Sequence, residues 1–347
     1  MKQLVLTFAT SLVLLSACSD DTVPPTPLAG AVVVLNEGNF QDDNAEISAL
    51  ASTGAVANDL FGAINSRPLG DVLQSAAVIG TNIYLVVNNS NKIEVINRET
   101  GRSVATISGL QQPRYILQVS PTKAYVTEWV GLNPDFSFQD GNIAIVDLTT
   151  YSVTGRIEAI GPGPEQLVLA EGTVYVGTAS SSRTALWRVD PTTDVLLSDL
   201  DLDQSPASLT VSRDTLLWAL CPDPNLTAGS QLVRIDPSSN TVVAELDLPV
   251  SGSSAFGDGD LVAHPNTTQV VYSYNDTVFV YSATATAPTA WATGSFYGIG
   301  VSPAGELYTA QVPSFTTGGT VQRYSAQGAL LATYTVGIAP NGFVFNE

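Results

Sequence analysis

Positively charged residues, histidine and cysteine are all scarce in this sequence. The chain of 347 residues carries 13 lysines and arginines against 32 aspartates and glutamates, so it lacks the basic surface that nucleic-acid phosphates require. Charged residues make up only 13% of the sequence, about half the usual share. We therefore expect a surface covered by Ser, Thr, Asn, Gln and Gly, on which the acidic excess serves solubility.

The scarcity of histidine and cysteine restricts the chemistry that the chain can perform. The single histidine, His264, lies in a turn-like segment, which argues against a histidine base, a Ser-His-Asp triad and a histidine-built metal centre. Cys221 is interpreted as a tolerated free thiol, because the other cysteine, Cys18, belongs to an N-terminal signal. Segments 133–135 and 258–260 could offer oxygen atoms to calcium, although solvated turns are the default interpretation. We predict no catalytic residue, metal or cofactor.

The N-terminus has the features of a sorting signal. After Lys2, an apolar run over residues 4–15 is too short to span a membrane as a mature helix. It ends in Leu-Ser-Ala-Cys, which is typical of a lipobox, so we predict a lipoprotein signal peptide over residues 1–17 and lipidation of Cys18. An ordinary signal peptide with an incidental cysteine is the alternative.

The next residues predict a tether. The sequence Ser-Asp-Asp at residues 19–21 resembles the surface-export signal of one group of Gram-negative bacteria. Three prolines before Leu28 predict an extended linker, which with the lipidated cysteine covers residues 18–29. The predicted location is the outer membrane, lipid-anchored and facing the cell surface.

A repeat organises the rest of the chain. A short alternating strand runs into a polar turn at residues 233–241, where Asp236 can bond backbone groups two residues on and Pro237 presets φ. Turns of this kind open at residues 50, 97, 147, 190, 236, 281 and 324, which are 43 to 50 residues apart. Four-stranded propeller blades have this length, roughly 40–50 residues. The repeat therefore predicts an all-β fold, a seven-bladed β-propeller over residues 30–347.

Each blade has recognisable strands. Runs of β-branched and aromatic residues, such as residues 83–87, precede each turn by one hairpin and predict the second strand of the blade. Proline-led segments predict innermost strands, and they begin at residues 113, 164, 206 and 340. The last of them has no strand after it, and the first unit has no such strand before it. We predict that the C-terminal strand completes the first blade and closes the ring, with no helical segment after Gly30.

Propeller topology gathers the longer connections on one face, called here the long-loop face, and leaves tight turns on the other, the tight-turn face. The long-loop face receives the loops 36–40, 88–91, 128–141, 221–229, 274–275 and 311–319. Aromatic and amide side chains crowd these loops and the starts of the innermost strands, which favours a site for a large, partly apolar, hydrogen-bonding ligand. The predicted ligand-binding residues are Asn36, Glu37, Asn39, Phe40, Gln74, Asn88, Asn89, Arg114, Tyr115, Glu128, Trp129, Gln166, Trp218, Tyr274, Tyr297 and Gln311.

Roles within this set follow from side-chain chemistry. Aromatic rings such as those of Tyr115 and Trp129 would offer apolar faces, and the amide side chains would form hydrogen bonds with the ligand. Arg114 and Glu128 would orient the ligand or pair with each other. The alternative is that Trp129 and its neighbouring phenylalanines only fold the longest loop onto itself.

Four segments are characteristic of a known family. Residues 34–40 (VLNEGNF), 67–71 (RPLGD), 86–95 (VVNNSNKIEV) and 113–116 (PRYI) resemble bacterial surface lipoproteins with a seven-bladed, YncE-like propeller, the DUF5074-type family. The resemblance covers residues 30–347. It implies a non-enzymatic protein that binds a small molecule, cobalamin or another corrinoid, and delivers it to a TonB-dependent outer-membrane transporter.

Two other interpretations stay open. The same face could dock a protein or glycan partner, so that the propeller acts as an interaction module on the cell surface. An enzyme, such as a propeller lyase or a hydrolase, would need an acid/base cluster on the long-loop face. The sequence alone does not place two carboxylates at the distance that a glycosidase needs.

Overall fold

The computed structural model describes residues 28–223, 229–250 and 259–346. The predicted signal peptide (1–17), Cys18 and all but the last two residues of the linker lie outside the described residues. Within the described ranges, no helix is long and apolar enough to cross a membrane. The strands group into seven antiparallel sheets, each of which is one blade.

The first four blades contain seventeen strands and the only helix of the described residues. Blade 1 combines β1 (Val32–Asn36), β2 (Glu46–Leu50) and β3 (Val56–Ala57) with the last strand of the chain, β29 (Pro340–Phe345), and α1 (Leu60–Asn65) follows it. Blade 2 contains β4 (Leu73–Ile79), β5 (Asn82–Val87), β6 (Lys92–Asn97) and β7 (Ser103–Ile107). Blade 3 contains β8 (Pro113–Ser120), β9 (Lys123–Glu128), β10 (Asp140–Asp147) and β11 (Ser152–Pro162). Blade 4 contains β12 (Pro164–Ala170), β13 (Thr173–Thr178), β14 (Ala185–Asp190), β15 (Val195–Leu196) and β16 (Leu200–Asp201).

The remaining blades have four strands each. Blade 5 contains β17 (Ser208–Val211), β18 (Leu217–Cys221), β19 (Gln231–Asp236) and β20 (Thr241–Asp247). Blade 6 contains β21 (Leu261–Ala263), β22 (Val270–Tyr274), β23 (Thr277–Tyr281) and β24 (Thr289–Thr293). Blade 7 contains β25 (Gly298–Val301), β26 (Leu307–Gln311), β27 (Gly318–Tyr324) and β28 (Leu330–Ile338). The innermost strands contact one another in ring order from β29 through β4, β8, β12, β17 and β21 to β25, which confirms the seven-bladed propeller.

The C-terminal strand closes the ring as predicted. It pairs antiparallel with β1, with Val32 opposite Phe345 and Val34 opposite Phe343. The rings of Phe343 and Phe345 lie 5.9 and 5.4 Å from that of Tyr308 in blade 7. The last strand therefore supplies the inner edge of blade 1 and also packs against blade 7.

The hydrophobic core lies between neighbouring blades. The second strands are almost fully buried, because both faces of a blade are covered by its neighbours. One cluster joins Val33 and Ile47 of blade 1 to Leu85 of blade 2, and others lie at the junctions of later blades. Packing between blades fixes the angle at which each innermost strand presents its first residues to the channel.

The prediction that no helix follows Gly30 is wrong. Helix α1 lies between blades 1 and 2, where Leu60 and Phe61 are buried. The Asn65 side-chain amide donates to the carbonyl oxygen of Gly101 at 3.1 Å, which ties the end of the helix to a turn of blade 2. Apolar residues at 60, 61 and 64 follow a helical period, but six residues are too few for that period to stand out in the sequence.

The tight-turn face shows the turn chemistry that the sequence predicts. The Asp147, Asp190 and Asp236 carboxylates accept backbone N–H bonds from residues two positions later, at 2.7, 2.8 and 2.9 Å. The chain enters at this face, because the Leu28 N–H donates to the carbonyl oxygen of Glu99 in such a turn. The described chain therefore begins on the side opposite the long loops.

Candidate functional site

A cavity of about 300 Å³ opens on the long-loop face, where the innermost strands begin. The start of one innermost strand from each of five blades contributes to its wall, through Tyr115, Gln166, Ser208, Asp260 and Tyr297. We call this region, with Glu165 also in its wall and with Gln74 and Arg114 beside it, the channel mouth. Polar groups from separate blades converge there around two tyrosines, which is the arrangement expected of a small-molecule site.

Arg114 is the centre of the charged part of the channel mouth. Its guanidinium group donates to Glu165 at 2.7 Å and to the side-chain oxygen of Gln74. The guanidinium carbon also lies 3.8 Å from the centroid of the Trp129 ring, a close cation–π contact. Burial alone would lower the pKa of Arg114, but the charge and hydrogen bonds of Glu165 outweigh burial and raise it. The Arg114 guanidinium is therefore ionised, and its hydrogen bonds to Glu165 and Gln74 fix it in place.

Two further carboxyl groups lie at the mouth in protonation-sensitive surroundings. Burial raises the pKa of Glu37, whose carboxylate accepts a hydrogen bond from the Tyr297 hydroxyl at 2.8 Å. Burial also raises the pKa of Asp260 to about 6, although the Ile299 N–H, which donates to it at 3.0 Å, acts in the opposite direction. The mouth can thus present hydrogen-bond acceptors whose charge depends on pH.

Hydrogen bonds that involve side chains cross every junction between blades at this end of the channel. The Asn341 amide donates to Leu73 at 2.9 Å, and the Ser75 hydroxyl donates to Arg114 at 2.6 Å. The other five junctions are crossed by Thr127 to Glu165 (2.8 Å), Leu209 to Gln166 (2.7 Å), Leu261 to Ser208 (3.1 Å), Ile299 to Asp260 (3.0 Å) and Tyr297 to Glu37 (2.8 Å). Because these bonds form a closed circuit, the channel mouth is preorganised before any ligand binds.

The whole propeller matches one known family. A family described as a domain of unknown function, DUF5074, matches residues 30–343. The chain belongs to the DUF5074 family. No curated protein matches it.

Solved structures share the fold of this DUF5074 propeller but little of its sequence. A quinoprotein alcohol dehydrogenase-like protein from Bacteroides thetaiotaomicron is 15% identical, with a TM-score of 0.70 over 92% of this chain and 79% of its own. A functionally unknown protein from Desulfotomaculum acetoxidans is 12% identical, with a TM-score of 0.66 over 91% of this chain and 98% of its own. Hydrazine synthase from Kuenenia stuttgartiensis is 16% identical, with a TM-score of 0.60 over 76% of this chain and 86% of its own. At these identities the likeness shows the fold alone.

The structure brings six of the predicted residues together. Tyr115, Gln166 and Tyr297 line the cavity, Gln74 and Arg114 lie beside it, and Glu37 is bonded to Tyr297. Trp129 joins this group through its contact with Arg114. These residues come from five blades, because Arg114, Tyr115 and Trp129 all belong to blade 3. The predicted starts of the innermost strands bring Gln74, Arg114, Tyr115, Gln166 and Tyr297 to one end of the channel.

Other predicted residues lie around the mouth on the long loops. The Asn88 amide donates to the Pro113 carbonyl oxygen at 3.1 Å, and the Asn89 amide donates to Asp71. Asn39 bonds Asp42 within its own loop at 2.8 Å, next to Phe40, whose side chain is 68% exposed. Gln311 is half-buried and accepts a hydrogen bond from Thr320 at 3.2 Å. Of these, Phe40 is the most open to a partner.

One of the two roles predicted for Arg114 and Glu128, that they pair with each other, is wrong. Glu128 is fully buried and bonds the Arg156 guanidinium at 2.8 Å, while Arg114 pairs with Glu165. Glu128 ends β9 with its side chain directed into blade 3. The alternation of side chains along a strand turns it away from the mouth.

Three other predicted residues are enclosed within the blades. Trp218 is 1% exposed, and its indole N–H donates to Ser212 in the turn that joins β17 to β18. That turn is on the tight-turn face, so the predicted place of Trp218 on the long-loop face is wrong. Asn36 is fully buried and bonds Ser48 at 2.8 Å. Tyr274 is 4% exposed, and its hydroxyl donates to Pro249. An aromatic or amide residue at a strand end in the sequence does not reveal which side of the blade it faces.

Sequence reasoning missed Glu165 and Asp260 as residues of the channel mouth, although it considered segment 258–260 for calcium; Asp258 of that segment lies outside the described residues. The sequence does carry a signal for Glu165, which is its position directly after a proline that opens an innermost strand. In blades 1, 3 and 4 the residue at this position bonds a neighbouring blade at the mouth, as Asn341, Arg114 and Glu165 do. Asp260 precedes β21 without such a proline. Its position becomes evident only when the strands are aligned by their pairing.

The longest loop, residues 128–141, divides into a packed part and an exposed part. The ring centroids of Trp129 and Phe138 lie 4.7 Å apart, and the indole N–H of Trp129 donates to the Pro164 carbonyl oxygen at 3.1 Å. Phe136, at the tip, is 83% exposed. The loop folds against blade 4 through two aromatic rings and leaves the third in solvent.

Apart from Asp260, the described side chains that were considered from the sequence for catalysis, thiol chemistry or calcium binding lie outside the channel mouth. His264 lies between β21 and β22 on the tight-turn face, as predicted. Cys221 is buried, and burial raises the pKa of its thiol. Asp135 bonds Ser137 within its own loop. Within the part of the chain that the structure describes, no group of three or more His, Cys, Asp and Glu side chains could hold a metal ion.

Proposed function

We propose that this DUF5074 propeller is a non-enzymatic, lipid-anchored protein of the outer-membrane surface that binds a small ligand at the channel mouth. It would then deliver this ligand to a TonB-dependent transporter. The observation that carries the proposal is the cavity itself, in which two tyrosines and converging polar groups are held by bonds across all seven blade junctions. A preorganised site loses less conformational entropy when its ligand binds.

The resemblance of the sequence to cobalamin-capturing lipoproteins suggests a corrinoid ligand. A corrinoid carries amide side chains, and Gln166, Asp260 and the hydroxyls of Tyr115 and Tyr297 offer donors and acceptors for them. The cavity of about 300 Å³ is at the lower end of the range for small-molecule sites, roughly 300–1,000 Å³, and a whole corrinoid is larger. We therefore propose that the side chains enter the cavity while the macrocycle lies on the surrounding loops.

The position of Leu28 supports the proposed orientation. The described chain begins on the tight-turn face, so a tether from Cys18 would reach the propeller on that side. The channel mouth would then point away from the membrane surface in which the lipid is inserted. Such an orientation leaves the mouth accessible to a ligand that arrives from the medium.

Titration of residues 22–347 with cyanocobalamin tests the ligand. The wild-type protein should bind it at micromolar concentration, and Tyr297→Phe should weaken binding about fivefold, because one hydrogen bond is worth roughly 1 kcal/mol. Tyr151→Phe is the matched control, since Tyr151 lies in the turn between β10 and β11 on the tight-turn face. Absence of binding at micromolar cyanocobalamin would remove the corrinoid proposal.

A second candidate function is docking of a protein or glycan partner on the same face. Exposed aromatic rings favour it, since Phe136, Phe40 and Phe315 are 83%, 68% and 45% exposed on three separate long loops. A pulldown from outer membranes, with and without cyanocobalamin, separates the two candidates. Recovery of one partner that is independent of cobalamin and is lost with Phe136→Ser would favour docking.

A further inference from the structure

A second cavity, of about 390 Å³, opens on the tight-turn face between blades 6 and 7. His264 and Gln269 from the first hairpin of blade 6 form one wall, and Thr289 and Trp291 from β24 form another. The turn at residues 326–328 of blade 7 completes it. It lies at the opposite end of the propeller from the channel mouth and shares no lining residue with it.

The lining of this second cavity carries no charged side chain. Among its described residues there is no Asp, Glu, Lys or Arg, although the chain as a whole contains 45 of them. The His264 imidazole is the only titratable group of the lining, and burial lowers its pKa, so it is neutral at pH 7. An anionic ligand would lack a cation here, and a cationic ligand would lack a carboxylate.

Hydrogen-bonding groups remain available in the cavity. The Nδ1 atom of His264 accepts the Asn266 N–H at 3.2 Å, so the proton of the neutral ring is on Nε2, which acts as a donor. The side-chain oxygen of Gln269 accepts from Thr267 at 3.1 Å, while the amide nitrogen has no hydrogen-bond acceptor among the described residues. Gln327 is exposed, and its side-chain amide engages no other group among the described residues. The cavity therefore offers several uncharged donors and acceptors around its wall.

Trp291 supplies an apolar surface that is held in place. Its indole N–H donates to the Ser325 carbonyl oxygen at 2.9 Å, which fixes the half-buried ring against blade 7. The ring lies nearly parallel to His264, with centroids 6.2 Å apart and an angle of 22°. A third ring inserted between them would need about 7 Å, since each stacking contact takes about 3.5 Å. A ligand must therefore lie along this pair of rings rather than between them.

We propose that this cavity binds a neutral saccharide. A sugar presents C–H groups that can pack on the Trp291 face, and hydroxyl groups that can bond Gln269, Gln327, Thr289 and His264 Nε2. Its lack of charge matches the lining. The volume of about 390 Å³ lies within the usual range for small-molecule sites. The proposal is independent of the ligand at the channel mouth.

Saturation-transfer difference NMR on the purified protein, with maltose, cellobiose, lactose and N,N′-diacetylchitobiose at millimolar concentration, tests this inference. At least one disaccharide should receive saturation from the protein. Trp291→Ala should reduce the transfer at least tenfold. Because Trp291 is half-buried, a second variant, Gln327→Trp, fills the cavity from an exposed turn position and should have the same effect in a folded protein.

Ser239→Trp is the matched control, since it places a tryptophan at an exposed position of the turn between β19 and β20, outside the lining of both cavities, and should leave the transfer unchanged. Cyanocobalamin in excess should also leave it unchanged. The proposal is overturned if none of the four sugars receives saturation, or if the transfer persists undiminished in Gln327→Trp.

Discussion

At the scale of single residues, the site depends on which side chains occupy the first positions of the innermost strands. Arg114, Glu165, Asp260 and Tyr297 come from four blades, and each crosses to a neighbouring blade through a hydrogen bond or an ion pair. These groups thus have two roles, since they hold the ring together and form the wall of the cavity. Substitution should therefore change both stability and binding.

Arg114→Ala tests the charged centre of the mouth. The side chains of Arg114 and Glu165 are only 13% and 10% exposed, so the variant leaves a carboxylate that is nearly buried without its cation. We expect the free energy of unfolding to fall by roughly 2–4 kcal/mol, measured by urea denaturation. Arg213→Ala is the control, because Arg213 is exposed and bonds one carbonyl oxygen on the tight-turn face; it should change stability by less than about 0.5 kcal/mol.

Asp260→Asn tests the pH dependence of the mouth. The pKa of Asp260 is raised from 3.8 to about 6, so the folded protein binds this proton more tightly than the unfolded chain does. The resulting stabilisation is complete below about pH 4 and is lost as the pH rises through 6. At pH 7 we expect the variant to be more stable than the wild type by about 1–3 kcal/mol, and this difference should vanish near pH 4.

Urea denaturation of both proteins from pH 4 to pH 8 measures this difference. The raised pKa values of Glu37 and Glu46 act in the same direction, but they are common to both proteins. A wild type and a variant whose stabilities run parallel over the whole range would contradict the raised pKa of Asp260.

At the scale of elements, regular strands were predictable and the irregular connections were not. The second strand of every blade follows from a run of β-branched and aromatic residues, because burial on both faces demands apolar residues at nearly every position. Helix α1 is only six residues long, and its position depends on contacts with blades 1 and 2 rather than on its own propensity. The same reason explains why Trp218 was misplaced, since which way a strand residue faces is a property of the packed sheet.

The loop 128–141 allows a prediction about two of its rings, the packed ring of Phe138 and the exposed ring of Phe136. Phe138 lies against Trp129, and its ring would contact any side chain placed at Gly163, so Phe138→Ala should destabilise the fold by roughly 1–3 kcal/mol. Phe136→Ser should leave stability within about 0.5 kcal/mol, because the side chain is 83% exposed. Thermal and urea denaturation measure the change in stability of each variant. Equal losses in the two variants would show that the tip is packed as well.

At the scale of the whole molecule, the repeat length and the unpaired final strand were sufficient to predict a closed seven-bladed ring. Both signals come from chain order and alternation, which a single sequence carries in full. The location of the cavity followed from this topology, whereas the partners of Arg114 and the presence of Asp260 required coordinates. The fold, and the face on which the cavity opens, could therefore be predicted from the sequence. The contacts between blades could not.

Removal of residues 340–347 tests the closure. Without β29, strand β1 loses its partner over five paired positions, and Tyr308 loses both phenylalanine rings. We expect the shortened chain to lose its cooperative urea transition and to associate through the open edge, as size-exclusion chromatography would show. A synthetic peptide of residues 338–347 should restore the transition, and a scrambled peptide should not. A monomeric shortened chain with an unchanged transition would contradict closure by the tail.

Hydrogen–deuterium exchange with and without saturating cyanocobalamin tests the central claim, that the ligand binds where the innermost strands begin. The account predicts that amides near Arg114, Gln166 and Tyr297 become protected together, while the turns on the tight-turn face exchange at an unchanged rate. Protection confined to the tight-turn face, or no protection at all, would contradict it.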